Sequence, residues 1–223
     1  TVKKTALTHF ARQRSVGLRA LELDEGDVLV GTAITDGNCD VMLFSSEGKA
    51  ARFKEGDVRP MGRTARGVRG IRLGEGHQMI SLIIPQPDGK VLSVSENGYG
   101  KRTEIDEFPS KGRGNKGVIA MSTSKRNGKL VGAVQVFDGD ELMLISSQGT
   151  MVRTRTDEVS ILGRNTQGVR VIRTKEGETL VGVARIDEPA PDEQLLPIDG
   201  QEASAAEVQA AVEPGDETPD NDT

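Results

Sequence analysis

Four short basic loops contain the residues of this sequence that are best suited to chemistry. They read ARQRSVG at residues 11–17, MGRTARG at 61–67, KGRGNKG at 111–117 and LGRNTQG at 162–168. Long cationic side chains beside small residues suit contact with phosphate groups, because the backbone can approach closely and donate its N–H groups as well. Such contacts hold a nucleic acid backbone without reading its bases. The loops therefore predict phosphate binding rather than a reaction.

The candidate DNA-binding residues are basic side chains of these loops and of the strands that follow them. They are Arg12, Arg14, Arg63, Arg66, Arg69, Lys111, Arg113, Lys116, Arg164 and Arg170. Duplex DNA is the expected partner, because aromatic residues make up only 3% of the chain and single-stranded bases would need rings to stack on. The alternative interpretation is that the loop arginines bridge neighbouring repeats.

No catalytic residue and no metal ligand is predicted. Cys39, His9 and His77 are isolated in the sequence, whereas a metal site or a nucleophilic triad needs several partners. The sequence also lacks a Walker-type loop and a dinucleotide fingerprint, and KGRGNKG does not lie between a strand and a helix. We therefore expect no cofactor in this chain.

Four carboxylates and one tyrosine are interpreted as structural residues. Asp106 and Glu107 match Asp157 and Glu158 one repeat later, where they could end a strand or pair with a basic neighbour. Tyr99 is the only tyrosine and directly follows a predicted hairpin turn. We expect its ring to lie on a half-exposed strand and not to act as a covalent nucleophile.

The charge of the chain is divided unevenly along its length. The net charge is −5, but residues 187–223 hold twelve acidic residues and no basic one. Residues 1–186 therefore carry 29 basic and 22 acidic residues, a net charge of +7. The acidic segment contains proline and lacks aromatic residues, which is typical of disorder. We expect a basic domain followed by an acidic tail that either keeps the protein soluble or competes with DNA.

A repeat of 50 or 51 residues organises the basic part. Three hairpin segments read VMLFSSEGKAARF, VLSVSENGYGKRT and LMLISSQGTMVRT. The same spacing relates the turn glycines Gly48, Gly98 and Gly149, the arginines Arg52, Arg102 and Arg153, and the loop glycines Gly67, Gly117 and Gly168. Repeats of this size are typical of propeller blades, which bury their apolar faces against one another.

Each repeat is expected to form four antiparallel strands. The predicted repeats cover about residues 1–37, 38–88, 89–138 and 139–187, and the first lacks the strand that should precede Thr1. Asn97-Gly98 predicts a type I′ hairpin turn, because both of its residues tolerate positive φ. The predicted fold is all-β: a propeller-like array of about three complete four-stranded blades and a truncated one over residues 1–187, with a disordered tail over 188–223.

A cytoplasmic location is expected. The sequence contains no apolar run long enough to span a membrane, and TVKKTALTHF lacks the apolar centre and cleavage site of a secretory signal. A single cysteine also fits a reducing compartment.

Three longer stretches carry a resemblance to a known family. DVMLFSSEGKAARFKEGDVRPMGRTARGVRGIRLGEG, NGYGKRTEIDEFPSKGRGNKGVIA and GTMVRTRTDEVSILGRNTQGVRVIRT closely resemble the C-terminal domain of bacterial DNA gyrase A. The resemblance implies a β-pinwheel whose blades exchange strands, and it implies wrapping of duplex DNA in an enzyme that introduces negative supercoils. It further implies the rest of gyrase A, gyrase B as the partner in an A2B2 assembly, and ATP and Mg²⁺ in the complete enzyme.

One motif of that family is missing from the sequence. The family's diagnostic box, Gln-Arg-Arg-Gly-Gly-(Lys or Arg)-Gly, does not occur intact, and the four basic loops look like degenerate counterparts of it. We therefore expect the later blades of such a domain. Two alternatives remain: the related domain of topoisomerase IV, which would orient DNA, and a propeller that binds protein partners.

Overall fold

The structure is a computed structural model that describes residues 1–12 and 15–186 of the chain. The acidic tail and the prediction that it is disordered lie outside the described residues. The strands are β1 Asp40–Ser45, β2 Lys49–Lys54, β3 Met79–Ile83, β4 Lys90–Ser95, β5 Tyr99–Glu104, β6 Val118–Ile119, β7 Leu130–Val136, β8 Glu141–Ser146, β9 Met151–Arg155, β10 Val169–Arg170 and β11 Leu180–Ile186. Short 3-10 helices span Leu7–Phe10, Glu55–Asp57, Ile105–Glu107 and Thr156–Glu158. The all-β prediction is confirmed. None of the helices in the described part could cross a membrane, since all fall short in length and apolar character.

The strands form antiparallel sheets that exchange strands between repeats. The first sheet has the order β3-β1-β2-β6, and the second has the order β10-β5-β4-β7. In the first sheet β2 pairs with β6, which lies beyond the next hairpin in the chain. In the second sheet β5 pairs in the same way with β10. Each outer strand is therefore donated by the following repeat, which confirms the β-pinwheel.

Only two of the three sheets contain the four strands that were predicted. The third sheet has the order β11-β8-β9, and the part of the chain that the structure describes contains no strand paired with the outer edge of β9. In the other sheets this position is filled from the next repeat. A blade with no described repeat after it therefore has three strands.

The first repeat contains no strand in its described residues. DVLVGTAIT at residues 27–35 is equivalent to β3, β7 and β11, each of which pairs with the first strand of a hairpin. No such hairpin is available to it among the described residues. Val28 and Ile34 are accordingly exposed, at 73% and 81%. Its backbone pairs with the next repeat through isolated bridges such as that from Val2 to Val68.

The hairpin turns differ from the predicted type I′. Gly98 has a positive φ of 78°, but Asn97 does not, since Asp88 is the one non-glycine residue with positive φ in the described part. The Gly98 N–H donates to the Ser95 carbonyl at 3.0 Å. A type I turn followed by a left-handed glycine has this pattern and forms a G1 bulge. Glycine is needed only at the last position, so Glu47 and Gln148 serve equally well beside Gly48 and Gly149.

The core lies between successive sheets. One apolar cluster joins the first sheet to the second, and within it the Phe44 and Phe108 rings meet edge to face with centroids 6.1 Å apart. A second cluster joins the second sheet to the third through Leu92, Leu142 and Leu180. Because side chains alternate between the two faces of a strand, β1 and β4 each contribute to two clusters. The repeat therefore buries its apolar residues only when neighbouring repeats are present.

Candidate nucleic-acid interface

Two of the basic loops bond to the chain segment that follows the preceding loop. In the loop at 111–117, the Gly114 N–H donates to the Gly70 carbonyl at 2.6 Å, and the Asn115 carbonyl accepts from Arg72 N–H at 2.8 Å. The loop at 162–168 makes the equivalent contact, since the Thr166 carbonyl accepts from Ser122 N–H at 3.1 Å. Each of these two loops is therefore bonded to the segment that directly follows the preceding loop.

The three Gly-Arg arginines tie each repeat to the one before it. Each guanidinium donates to a backbone carbonyl at the same repeat position: Arg63 to Arg19 at 3.1 Å, Arg113 to Arg69 at 3.2 Å and Arg164 to Ile119 at 3.0 Å. This is the arrangement of the alternative interpretation, in which the arginines bridge repeats. A guanidinium has five N–H donors, so one or two such bonds leave others for a phosphate. Phosphate contact by these arginines stays a prediction.

The other candidate residues differ in how accessible their charge is. Arg66 is paired with Asp24 at 2.5 Å and with Glu22 at 3.5 Å, so DNA would have to displace two carboxylates. The remaining described candidates have exposed side chains: Arg12, Arg69, Lys111, Lys116 and Arg170. Arg14 lies outside the described residues. The structure thus places the candidates on neighbouring loops but leaves their charges unequally available.

A buried lysine that the sequence analysis missed holds one of the loops in place. Lys101 in β5 is fully buried, and its Nζ donates to the carbonyls of Gly163 and Arg164, both at 2.6 Å. Burial lowers the pKa of Lys101 to about 8. Lys3 makes the equivalent contacts with Gly62, at 3.2 Å, and with Arg63. The sequence could have indicated this contact, because Lys101 lies at a strand position that faces the interior. The preceding repeat has Ala51 at the same position, so the lysine does not stand out as a repeated residue.

Tyr99 is more buried than expected and is surrounded by arginines. Its side chain is not on a half-exposed strand, because the residue is only 4% exposed. The Tyr99 hydroxyl oxygen accepts from Arg170 Nη2 at 2.9 Å and from Arg126 Nε at 3.2 Å. Their guanidinium carbons lie 5.3 and 4.9 Å from the centre of its ring. Arg126 was not among the candidate residues because its loop, SKRNGK, does not recur in the other repeats.

Two of the four repeated carboxylates bond to the neighbouring repeat. Asp157 pairs with Arg102 at 3.5 Å across 55 residues of sequence, and a Glu107 oxygen accepts from the Arg164 backbone N–H at 3.0 Å. Arg102 also donates to the Val159 carbonyl of the next repeat and pairs with Asp138 of its own repeat, so this arginine serves packing between blades. These contacts agree with the structural role that was predicted for the carboxylates.

Three polar side chains also meet near Cys39. Ligand atoms of Asp36, Cys39 and Glu55 lie within 4.8 Å of one another. Glu55 already accepts from Gly37 N–H at 3.0 Å and pairs with Lys4 at 3.4 Å. The Cys39 thiol donates to Asp36. These interactions account for the cluster without an ion.

Sheets that exchange a strand with the following repeat, with a basic loop at each exchange, define a β-pinwheel repeat domain. The family model of the DNA gyrase C-terminal domain, a β-propeller, matches residues 1–36, 40–86, 89–136 and 140–187. The chain belongs to this family.

Known proteins with similar sequences are gyrase A subunits. The DNA gyrase A subunit of Pseudomonas aeruginosa is 58% identical over 205 residues, which cover 92% of this chain and 22% of that protein. The corresponding protein of Escherichia coli K12 is 53% identical over 222 residues, which cover 97% of this chain and 25% of that protein. The chain thus spans about a quarter of the length of these relatives.

Solved structures agree with this assignment. A DNA gyrase A C-terminal domain superposes with a TM-score of 0.71 at 29% identity, over 77% of this chain and 59% of the other. The C-terminal domain of a DNA topoisomerase IV gives a TM-score of 0.78 at 26% identity, over 83% of this chain and 58% of the other. The two kinds of domain therefore share this fold.

Proposed function

We propose that this chain binds duplex DNA along its basic loops and bends it, as the DNA-wrapping part of gyrase A. The bonds between each loop and the segment that directly follows the preceding loop are the observation that carries the proposal. Gly114 bonds to Gly70 beside one loop, and Ser122 bonds to Thr166 beside the next, so their cations can follow one DNA backbone. The net charge of +7 over residues 1–186 supplies the attraction. Many phosphate contacts along a curved surface can offset the elastic cost of bending DNA.

We further propose the enzyme assembly in which this chain acts. The chain would act with the remainder of gyrase A and with gyrase B in an A2B2 assembly that uses ATP and Mg²⁺ to introduce negative supercoils. In this proposal residues 1–187 form the DNA-binding domain and residues 188–223 form an acidic tail. The chemistry lies outside this chain, and the assembly works in the cytoplasm on the chromosome.

Equilibrium binding to duplexes of increasing length tests the DNA role. The full chain should bind more tightly as the duplex lengthens, without preference for sequence, and the affinity should fall steeply as salt rises. Lys116→Gln should weaken binding about fivefold, and it should lower the salt slope by about one phosphate contact. Lys54→Gln is the matched control, because the Lys54 side chain is 64% exposed but its charge is already paired with Asp40. Absence of binding to a long duplex at low salt would refute the proposal.

The second candidate is a domain that orients DNA, as proposed for topoisomerase IV. It is favoured by the TM-score of 0.78 with a topoisomerase IV domain, against 0.71 with the gyrase A domain. Binding that does not strengthen beyond a short duplex would support this candidate. Binding that DNA length and charge removal both leave unchanged would instead support a protein-binding propeller.

A further inference from the structure

A cavity of about 420 Å³ opens above the Tyr99 ring where two successive repeats meet. Tyr99 and Arg126 come from one repeat, and Arg170 and Lys175 come from the next. We call this the Tyr99 pocket. Its volume is within the usual range of small-ligand sites. The aromatic residue does not recur, because Lys49 and Thr150 occupy the equivalent positions after the other hairpin turns.

The walls of the Tyr99 pocket are cationic. Arg126, Arg170 and Lys175 have exposed side chains, and the ion pairs found among the described residues include none of them. Glu178 is the one carboxylate that lines the pocket, and it is buried. Its oxygens already accept from the Ser146 hydroxyl and from the Lys175 backbone N–H. The pocket therefore presents more positive than negative charge to whatever enters it.

The Tyr99 hydroxyl is left with a proton to donate. A phenolic oxygen has two lone pairs, and here both accept from guanidinium groups. Among the described residues no acceptor is recorded for the hydroxyl proton. The bonds from Arg170 and Arg126 lower the pKa of the Tyr99 phenol, which makes it a stronger donor. Two guanidiniums and a phenol hydroxyl thus converge as donors, a set suited to a group with several anionic oxygens.

The Tyr99 pocket adjoins the basic loop at 162–168. Asn127 is fully buried, and its side-chain amide donates to the Ser122 carbonyl at 2.8 Å and to the Gln167 carbonyl of that loop at 3.4 Å. The Asn97 amide donates to the Lys125 and Arg126 carbonyls, so the position of Arg126 is fixed relative to the loop. Gln167 is neutral, like Val16 in the first loop, where the second and third loops have Arg66 and Lys116. The pocket therefore supplies cations beside a loop that is neutral at position 167.

We propose that the Tyr99 pocket binds one phosphate group of the duplex backbone, held by Arg126, Arg170 and the Tyr99 hydroxyl. This inference rests on the proposed function, since the phosphodiester is that of the DNA bound along the loops. The chemistry is that of an oxyanion, so free phosphate could also enter.

The first test measures DNA affinity in variants of the full chain. Arg126→Gln and Arg170→Gln should each weaken binding of a duplex about five- to tenfold at low salt, and each should lower the salt slope by about one. Tyr99→Phe should weaken binding by a smaller factor and leave the salt slope unchanged, because it removes a hydrogen bond but no charge. Arg173→Gln is the matched control, since Arg173 is exposed nearby but does not line the pocket. Equal losses in the control and in the two pocket variants would overturn the proposal.

The second test observes Tyr99 directly. The chain has one tyrosine and no tryptophan, so ¹³C-labelled tyrosine gives a single set of ring signals. Duplex DNA should shift these signals, and inorganic phosphate should shift them more than chloride at equal ionic strength. A shift with phosphate but none with bound duplex would overturn the phosphodiester assignment.

The two proposals can fail separately. If duplex binds normally while Arg126→Gln and Arg170→Gln leave its affinity unchanged, the pocket assignment is wrong and the proposed function stands. If the chain binds no duplex, the proposed function and the phosphodiester assignment both fail, and the phosphate titration then shows whether any oxyanion site exists. Urea unfolding midpoints equal to that of the unaltered chain should confirm that the variants fold.

Discussion

Lys101 links the interior of a strand to the loop proposed to contact DNA. Its buried ammonium bonds to the carbonyls of Gly163 and Arg164, so Lys101→Met should loosen that loop. The preceding repeat has Ala51 at this position and still forms its sheet, so the variant should fold. We expect DNA affinity to fall about two- to fivefold with an unchanged salt slope, because a buried amine touches no phosphate. Unchanged affinity in a binding titration would show that the loop needs no such support.

The same residue should make stability depend on pH. The pKa of Lys101 is about 8 in the folded chain, against an ordinary value of 10.5. Between these values the unfolded chain binds more protons than the folded chain, so the free energy of unfolding should rise with pH. Below about pH 8 both states are protonated, and the cost of burying the charge is present in full.

Urea unfolding at about pH 7.5 and about pH 9.5 measures this effect. The midpoint of the unaltered chain should move to higher urea at the higher pH, and Lys101→Met should reduce the movement. A midpoint that falls equally in both proteins would contradict the assignment of the shift to Lys101.

At the residue scale the sequence located the basic loops but did not predict the contacts that their arginines make. Arg63, Arg113 and Arg164 were placed by repeat spacing, yet their bonds to carbonyls of the preceding repeat depend on strand exchange, which spacing alone does not reveal. The contacts of Tyr99 with Arg126 and Arg170 could not be predicted either. They join residues that are 27 and 71 positions apart.

At the scale of elements, strand exchange should be the stabilising feature most sensitive to backbone crowding. Gly168 has a φ of 78°, and a Cβ there would lie 2.6 Å from the Gly100 carbonyl oxygen, where β10 meets β5. Gly149 has a φ of 80° in a hairpin turn, with nothing within 4 Å of its Cβ position. Both alanine variants carry the backbone strain of positive φ, about 1–2 kcal/mol. Gly168→Ala should cost about 1–3 kcal/mol more, through overpacking.

Chemical denaturation of the two variants separates these costs. If Gly168→Ala and Gly149→Ala are destabilised equally, the close approach of β10 to β5 contributes nothing beyond the strain of the glycine conformation. The comparison needs no other variant, because the substitution and the φ of the two residues match.

Strand positions were largely predictable, while their partners were not. Alternating apolar residues and turn glycines located the hairpins β1–β2, β4–β5 and β8–β9. The two-residue strands β6 and β10 pair across more than 60 residues of sequence, and only the resemblance to the gyrase domain indicated such an exchange. The predicted turn type was wrong because only Gly98 has a positive φ. Asn97 has a negative φ, so its tolerance of positive φ is not used.

At the scale of the molecule, the separation of charge should tune DNA binding. Residues 187–223 carry twelve acidic residues, while the preceding residues carry a net charge of +7. Deleting residues 188–223 should raise DNA affinity at low salt and have less effect at high salt, because electrostatic competition is screened. Equal affinities of the two proteins at low salt would leave the tail as a solubilising segment.

The central claim is that the chain wraps DNA along its basic loops, and the linking number of a closed plasmid tests it most directly. A nicked circle sealed by ligase in the presence of the chain should keep a change in linking number after the protein is removed, and the change should grow with the amount bound. Lys111→Gln combined with Lys116→Gln should reduce the change, because both lysines are exposed on one loop. A plasmid fully covered by the chain that shows no change in linking number would contradict wrapping.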